Sequence, residues 1–413
     1  MNRAAQEIPG LARPQELIHE LHFESGELPH TAYCRTDSLG ICNPSILSSL
    51  QKLGAIISQQ IPFEAVFSDT AQRVPNVERD FELQARGRSL YFLQSGDSDV
   101  DGKGSIVIRA KGVTHSGGKP SLTPYGGYSP CGMVRSHHML VVDDGVILNK
   151  SMPPAPTGFM LAHKARAVFE NTLKLEALGV PVNRVIGYGE FKGIAFQGQA
   201  LGYVLLAHEK SEGRGPFAQL DLRGDQRRIY QTRPETLTEA ASLLRTLHNN
   251  RFTHGQPHLG NFSFEGAGRR MIVTDLDTVK EHASGGQAGA EFKFWRALDV
   301  LGFMFANSHL TGGMRFSPDF GGDSPIGHAI EHGYFSREEA KEIPASTFED
   351  CRRALLAAFI GQRLTPGAVH REPLESVLKR LAENEILRKV IESADSSPHP
   401  AIQDLSLESL LPR

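Results

Sequence analysis

The sequence predicts an α+β protein of two lobes, the first rich in β-strands and the second largely helical, with a small extension before them. Residues 81–113 and 138–150 contain short runs of β-branched and aromatic residues separated by Asp/Gly turns, which is typical of β-hairpins. Residues 234–248 and 374–393 repeat apolar side chains at helical spacing. The predicted units are a partly helical extension at 1–78, a first lobe at 79–209, a second lobe at 210–393 and a tail at 394–413.

Composition argues against several classes of protein. The 413 residues carry a formal net charge of −3 and no long Lys/Arg run, so nucleic acid is not the expected partner. The four cysteines lack C-x-x-C spacing and are sparse for a disulfide framework, which favours a reducing compartment. The N-terminus has no apolar signal core, and no uncharged apolar run approaches the ~20 residues that a membrane span needs. We therefore expect a cytoplasmic protein without a membrane span.

The extension contains one helical pattern. Residues 44–57 follow an Asn-Pro start and repeat apolar residues at helical spacing, which predicts a small helical cap. The pattern does not indicate a function for the extension.

The first lobe begins with two predicted strands that lead to a lysine. Residues 88–93 and 105–110 are β-like runs, and the turn signal Asp99-Val-Asp-Gly102 lies between them. Lys111 follows the second run directly. The alternative is a generic β-meander in which Lys111 is a solvated lysine at the end of a strand.

A second lysine competes for the same role. Residues 138–142 and 146–150 form a predicted hairpin around the turn Asp143-Asp-Gly145, and Lys150 ends it. The glycines of residues 126–134, Gly132 among them, allow backbone N–H groups to approach an anion closely, so this segment is a candidate phosphate-covering loop. The sequence thus offers two lysines, Lys111 and Lys150, for one phosphate-binding position.

The clearest helix of the first lobe carries a candidate glutamate. Residues 163–179 have apolar residues at helical spacing and end at Gly179, which is a C-terminal stop signal. Glu170 lies in the middle of this helix. The alternative for Glu170 is a surface glutamate on an amphipathic helix.

The densest group of candidate catalytic residues lies between residues 247 and 280. A His-Gly-Gln-Pro-His-Leu-Gly-Asn run precedes an apolar strand that ends in Asp-Leu-Asp. Phosphoryl-transfer enzymes need a loop residue to orient the acceptor, and an Asn and an Asp to hold Mg²⁺ on the phosphates. The alternative is a loop of another α/β protein whose histidines bond backbone groups. The candidate side chains are, in chain order, His254, Gln256, His258, Asn261, Asp275 and Asp277.

This stretch resembles the H-x-D-x-x-x-x-N and D-F-G motifs of the protein-kinase-like superfamily, in the H-G-D-x-H-x-x-N form of aminoglycoside, choline and lipopolysaccharide kinases. Residues 294–305 also resemble the buried helix whose N-terminal Asp, here Asp299, holds that loop. The resemblance implies a bilobal kinase-like fold, ATP and Mg²⁺ as cofactors, and Asn261 and Asp275 as metal ligands.

The same resemblance assigns roles in the first lobe. The helix at 163–179 and the Val-Pro-Val that follows Gly179 are similar to the corresponding helix of small-molecule and lipopolysaccharide kinases, which implies that Glu170 pairs with the nucleotide lysine. Residues 203–209 resemble the strand that leads into the hinge, which implies that the backbone near His208 meets the adenine.

Residues 81–136 resemble a second branch, the selenoprotein-O family of protein adenylyltransferases. The match consists of the D-x-D-G-K turn, the Lys-Gly at residues 111–112, and weaker similarity to T-P-x-S-R and R-A-V-L-R-S at Thr123-Pro-Tyr and residues 132–136. It implies that Lys111 is the nucleotide lysine and that AMP transfer is possible.

The chain departs from both families at the catalytic base. Gln256 occupies the position of the kinase Asp, and a neutral amide does not accept a proton at any useful pH. The selenoprotein-O pattern has an Asp directly before the metal-binding Asn, where this chain has Gly260. The paired arginines of that family also have no counterpart between residues 185 and 208. Proton or metal roles therefore pass to His254, His258 or Asp277, with His254 favoured as a brace of the loop.

Two functional hypotheses follow. One is an ATP- and Mg²⁺-dependent transferase that moves a phosphoryl or adenylyl group to a protein or small-molecule acceptor through an atypical site. The other is a pseudokinase that binds nucleotide or a partner and works as a scaffold or regulator. Retention of Glu170, Asn261, Asp275, Asp277 and a lysine favours the transferase, since a scaffold has no chemical need for metal ligands.

Overall fold

The computed structural model describes residues 18–23, 29–35, 83–86, 89–93, 106–113, 138–151, 160–196, 198–209, 235–265, 270–307, 325–341 and 370–394. Within these ranges the chain forms both helices and strands, with most strands before residue 210 and most helices after it, so the predicted α+β class is confirmed. The strands are β1 Ile18–Phe23, β2 His30–Arg35, β3 Leu83–Arg86, β4 Ser89–Leu93, β5 Ile106–Lys111, β6 His138–Asp143, β7 Val146–Ser151, β8 Met160–Leu161, β9 Arg184–Phe196, β10 Gln199–Glu209, β11 Phe252–Thr253, β12 Phe262–Glu265, β13 Arg270–Val273, β14 Lys280–Glu281 and β15 His370–Pro373. The α-helices are α1 Ala162–Ala177, α2 Thr236–Asn249, α3 Gly286–Asn307, α4 Pro325–Ala329, α5 Arg337–Ala340, α6 Leu374–Leu381 and α7 Glu385–Glu392.

An antiparallel sheet forms one side of the molecule. Its strand order is β1-β2-β9-β10-β5-β4-β3, with β8 paired to β10. The strands predicted at 88–93 and 105–110 are β4 and β5, paired in register from Ser89 opposite Lys111. The extension contributes β1 and β2 to the edge of this sheet next to β9, which the sequence did not predict.

Several predicted features lie outside the described residues. They are the helix at 44–57, the turn at 99–102, the glycine-containing segment 126–134 with Gly132, and most of the tail.

Helix α1 packs against the large sheet. Its apolar residues at helical spacing, including Val168, Phe169 and Leu175, are buried against β9 and β10. The helix ends as predicted at Gly179, which has a φ of +72°. Val180 N–H bonds Leu175 O and Gly179 N–H bonds Glu176 O, the Schellman arrangement.

The residues that follow α1 pair with β13. Val182 forms a parallel bridge with Val273, and Val273 N–H bonds Pro181 O at 2.8 Å. The end of α1 therefore fixes the position of the strand that precedes Asp275.

A smaller sheet joins distant parts of the sequence. The predicted hairpin is β6 and β7, whose turn has positive φ at Asp144 and Gly145 as a type I′ turn requires. Strand β7 also pairs with β15 in register from Asn149 opposite His370. The hairpin belongs to the predicted first lobe and β15 to the predicted second, so this sheet crosses the predicted boundary near residue 210. The domain boundaries remain a prediction.

The second half of the chain is largely helical. Helix α3 packs against α6 and α7, and α2 packs against α4 and the π-helical turn Ile330–Tyr334. The single amphipathic helix predicted at 374–393 is two helices, because Asn384 caps a new helix by accepting from Leu387 N–H at 3.1 Å. Among the described residues no helix is both long and apolar enough to cross a bilayer.

A substitution at Gly202 tests how tightly helix α1 packs on the large sheet. A Cβ at this position would meet the backbone oxygen of Gly189 and lie 2.8 Å from Ala162 Cα, so backbone has to move to admit it. We expect Gly202→Ala to lower the free energy of unfolding by about 1–3 kcal/mol. In the control Gly289→Ala the added Cβ meets nothing within 4 Å on helix α3, so stability should stay equal or rise by up to ~1 kcal/mol. Urea denaturation of both variants measures this, and equal stability for Gly202→Ala and wild type would contradict the packing described.

Candidate active site

The hairpin of β12 and β13 brings the two predicted metal ligands to one end of a short sheet. Phe262 pairs with Val273, so the residues just outside the hairpin's open end are also neighbours. Thr274 N–H bonds Asn261 O at 2.8 Å, which places Asn261 beside the chain that enters Asp275. Asn261 is fully buried.

The backbone turns sharply at Asp275. This residue has φ 58° and ψ 52°, a left-handed conformation that Asp tolerates better than most residues, and a 3₁₀ turn, Leu276–Thr278, follows it. Both Asp275 and Asp277 are mostly buried, with side chains 15% and 12% exposed. The turn thus holds two carboxylates at one place.

Lys111 joins these carboxylates to the large sheet. It is the last residue of β5 and only 2% exposed. Its Nζ donates to Oδ1 of Asp275 and, at 2.5 Å, to Oδ1 of Asp277. Gly112 follows with a φ of +92°, and a Cβ there would collide with Met160 on β8, so a glycine lets the end of β5 lie close to that strand.

The other candidate lysine lies in a different sheet. Lys150 pairs with Met139 in the β6–β7 hairpin, whose second neighbour is β15. Of the two candidates, the described contacts bring Lys111 to the two carboxylates.

Glu170 has a local partner. Its Oε1 accepts from Arg166 Nε at 2.9 Å, one helical turn earlier on α1. No ion pair joins it to Lys111 among the residues that the structure describes, so the pairing that the kinase resemblance implies is not observed. An arginine four residues away on the same helix reaches the carboxylate without long-range contacts.

Helix α1 nevertheless reaches the site by other side chains. Asn171 Nδ2 donates to Val279 O at 3.0 Å, and Lys174 pairs with Glu281 at 2.6 Å. Both contacts fix the segment that follows Asp277. The helix therefore helps to position the turn that carries Asp275 and Asp277, here called the acidic turn.

The loop that carries Gln256 is held by its own backbone. Asn261 Nδ2 donates to Gln256 O at 2.8 Å, His258 N–H also bonds Gln256 O, and Asn261 N–H bonds His258 O. Gly255 has a φ of +82°, and a Cβ there would lie 2.9 Å from Thr278 Cβ. The loop and the acidic turn are in close contact, with Gln256 and His258 partly exposed.

His254 is buried and supports this loop. Its Nε2 lies 3.2 Å from Thr274 O, and its Nδ1 accepts from Gln256 N–H at 3.4 Å. These partners assign the proton to Nε2. With both ring nitrogens engaged in this way, His254 links the Gln256 loop to the residue before Asp275.

Helix α3 holds the loop at two points. Asp299 accepts from His254 N–H at 2.5 Å and from Gly255 N–H at 2.8 Å, which is the tie expected for this Asp. Asn307 accepts from Leu259 N–H at 2.7 Å. Asp299 lies in the middle of α3, which begins at Gly286, and not at the N-terminus that the resemblance implied. Residues 286–289 form the first turn of that helix.

Behind Asp299 lies a buried network that the sequence analysis missed. Arg296 Nε donates to the Tyr334 hydroxyl at 2.8 Å, that hydroxyl bonds His248 Nδ1 at 2.7 Å, and His248 Nε2 bonds Asp299 at 3.1 Å. Burial lowers the pKa of His248 to about 4, against the opposing effect of Asp299. The sequence did contain a signal for this network, since Arg296 and Asp299 are charged residues three apart in the otherwise apolar segment 294–305.

The structure does not describe the side chains of two residues predicted to belong to the site. Gly132 lies outside the described residues, and His208 is described only as a backbone position on β10 opposite Val107. Within the described ranges no three His, Cys, Asp or Glu side chains gather where they could hold a metal ion.

No protein-family model matches the chain, and no curated protein matches it either. Among solved structures, the chain is similar to WaaP in complex with acyl carrier protein, with a TM-score of 0.31, 14% identity, and coverage of 83% of this chain and 95% of that one. It is also similar to a crystal structure of glucosamine kinase, with a TM-score of 0.25, 12% identity and 92% coverage of each chain.

The buried His248 makes stability depend on pH. In the unfolded chain a histidine takes up a proton near pH 6.5, whereas the folded His248 takes one up only near pH 4. The unfolded state therefore binds the extra proton as pH falls through this window, and the folded state loses stability on the order of 3 kcal/mol from pH 6.5 to 4. We expect His248→Asn, which lacks that group, to show a shallower loss. Urea unfolding at several pH values measures the difference, and parallel curves for the two proteins would contradict a neutral buried His248.

Proposed function

We propose that this chain is an ATP- and Mg²⁺-dependent transferase of bilobal, protein-kinase-like fold that moves a phosphoryl or adenylyl group to a protein or small-molecule acceptor. One observation carries the proposal. A buried lysine from the end of a sheet strand meets two carboxylates at the end of the β12–β13 hairpin, beside an asparagine that begins the same hairpin. Positioning and charge stabilisation dominate phosphoryl transfer, and this group of side chains supplies both.

The donor set fits Mg²⁺. Asp275 and Asp277 provide carboxylate oxygens, and Asn261 provides an amide oxygen, because its Nδ2 is the atom that donates to Gln256 O. Mg²⁺ is usually bound by one or two carboxylates plus substrate phosphates, so a set smaller than a complete protein cage is sufficient. When bound, the ion neutralises charge on the phosphates of ATP.

Lys111 has a charge suited to the phosphates. Its ammonium is shared between Asp275 and Asp277, and a divalent cation taken up by these carboxylates competes with it for the same oxygens. A lysine displaced in this way is a point charge for a nearby phosphate. The proposal therefore assigns Lys111 to the nucleotide, Asn261 and Asp275 to the metal, and Asp277 to support of both. Lys150, Glu170 and His208 keep no proposed contact with the nucleotide.

The acceptor side of the site is unusual. The Gln256 amide both donates and accepts hydrogen bonds, so it can orient an acceptor hydroxyl without taking its proton. His254 is buried, with hydrogen-bond partners at both ring nitrogens. His258 lies on the same loop and is partly exposed, and the proposal assigns it to take the acceptor's proton.

A second candidate is a pseudokinase that binds nucleotide without transferring a group. Two observations favour it: Gln256 stands where the resemblance expects the kinase Asp, and the Lys111 ammonium already pairs with both carboxylates. Intact-mass spectrometry of the protein incubated with Mg-ATP, alone and with candidate acceptors, separates the outcomes. A mass gain of one phosphate or one AMP supports the transferase, whereas nucleotide binding with no modified product supports the pseudokinase.

The metal assignment predicts how ATP binds. We expect tight ATP binding only with a divalent cation, and loss of that metal-dependent part in Asp275→Ala, because the variant removes a carboxylate ligand. Glu383→Ala, which removes an exposed carboxylate on the turn between α6 and α7, is the control and should bind as wild type does. Calorimetry in Mg²⁺ and in EDTA makes the test. Equal, tight binding of ATP to wild type under both conditions would contradict the assignment of Asn261 and Asp275 as metal ligands.

The amide of Gln256 is predicted to serve the native reaction. We expect Gln256→Asp to lower turnover of the native acceptor at least tenfold, because a carboxylate next to the polyphosphate repels it. Asn261→Ala should abolish turnover by removing a metal ligand, and Gln287→Asp, the same change at an exposed position of α3, should have no effect. A clear gain of phosphoryl transfer in Gln256→Asp would instead mean that the position marks a decayed kinase site.

A further inference from the structure

A cavity of about 650 Å³ lies away from the Lys111 site, between the start of α3 and helices α6 and α7. Its volume is in the range of small-molecule binding sites. The described residues that line it are Arg251, Ser284, Gly285, Gly286, Gly289, Ala290, Lys293, Glu375, Leu378, Lys379, Ala382, Ile391 and Ala394.

The charged residues of this lining favour an anion. Arg251, Lys293 and Lys379 are cationic, and Glu375 is the one carboxylate among the described lining residues. The three cationic side chains and the one carboxylate give the described lining a formal excess of two positive charges. Arg251 is buried, and its guanidinium lies 4.3 Å from the centre of the Phe292 ring, which fixes its position on the cavity wall.

The backbone at the start of α3 adds to this preference. Gly289 N–H bonds Gly285 O and so closes the first helical turn, in which the preceding N–H groups have no partner within the helix. Gly285 and Gly286 have positive φ, and a Cβ on either would meet nothing within 4 Å, so the wall is open here. Helix N-termini of this kind stabilise phosphates and carboxylates.

The opposite part of the lining is apolar. It consists of Leu378 and Ala382 on α6, Ile391 on α7, Ala394 after it, and Ala290 on α3. A ligand that fills the cavity therefore has an apolar body next to its charged head. An inorganic ion alone would leave this apolar surface in contact with water.

We propose that the cavity binds a small molecule that carries a phosphate monoester on a compact apolar body. The phosphate dianion matches the excess of two positive charges, and the apolar body covers the α6–α7 surface. Arg251 also contacts the segment that follows β14, because it donates to His282 O at 3.2 Å and to Ala283 O at 2.6 Å. The described lining of the cavity shares no residue with the Lys111 site, so the ligand binds separately from the nucleotide.

Phenyl phosphate is a suitable probe, with inorganic phosphate for the head alone and benzyl alcohol for the body alone. Titrations of the full chain in EDTA at pH 7.5 should show saturable binding of phenyl phosphate, at least tenfold tighter than either part. The double variant Lys293→Gln/Lys379→Gln should weaken binding about tenfold or more, because it removes two charged donors. The control Lys341→Gln, on the turn after α5, should bind as wild type does.

Lys111→Met separates the cavity from the catalytic site. It should retain phenyl phosphate binding, because the cavity lining is unchanged. Binding that is lost in Lys111→Met and kept in the double variant would overturn the proposal, and so would the absence of saturable binding to wild type. Thermal melts of each variant without ligand establish that the comparison is made on folded protein.

Discussion

The site depends on one buried ammonium shared by two carboxylates. Asp275 and Asp277 are two residues apart on a tight turn, and two negative charges so close repel each other. Lys111 offsets this repulsion and at the same time joins the end of β5 to the end of the β12–β13 hairpin. Removing only one partner of such a buried group leaves an uncompensated charge, which typically costs 3–5 kcal/mol. The same contact that stabilises the fold therefore creates the charged site.

Helices α3 and α1 hold the backbone next to Lys111, Asp275 and Asp277 in place, although neither helix contributes a side chain to that group. Helix α3 does so through Asp299 and Asn307, whose oxygens accept from backbone N–H groups of the loop. Helix α1 does so through Asn171 and Lys174, which contact the chain after Asp277. Fixed donors and acceptors of this kind position reacting groups in advance, which is the main contribution a protein makes to phosphoryl transfer.

The sequence predicted the parts of this arrangement that local patterns determine. Asn261 and Asp275 flank two short strands, so their proximity follows from hairpin geometry, and the C-terminal stop of α1 follows from Gly179. The long-range contacts could not be predicted from local sequence patterns. The pairing of β7 with β15 joins residues more than two hundred positions apart, and no local signal specifies that register. Glu170 likewise pairs with Arg166, which is one turn away on the same helix, and not with the nucleotide lysine that the resemblance implied.

The proposed assignment of Lys111, and not Lys150, to a nucleotide is the claim of this account that a measurement tests most directly. ATP affinity in Mg²⁺ should be measured by calorimetry for wild type, Lys111→Met and Lys150→Met. The account predicts that Lys111→Met weakens ATP binding about tenfold or more, as expected for loss of a charged donor to phosphate, while Lys150→Met binds as wild type does. Full affinity in Lys111→Met together with a large loss in Lys150→Met would contradict the account.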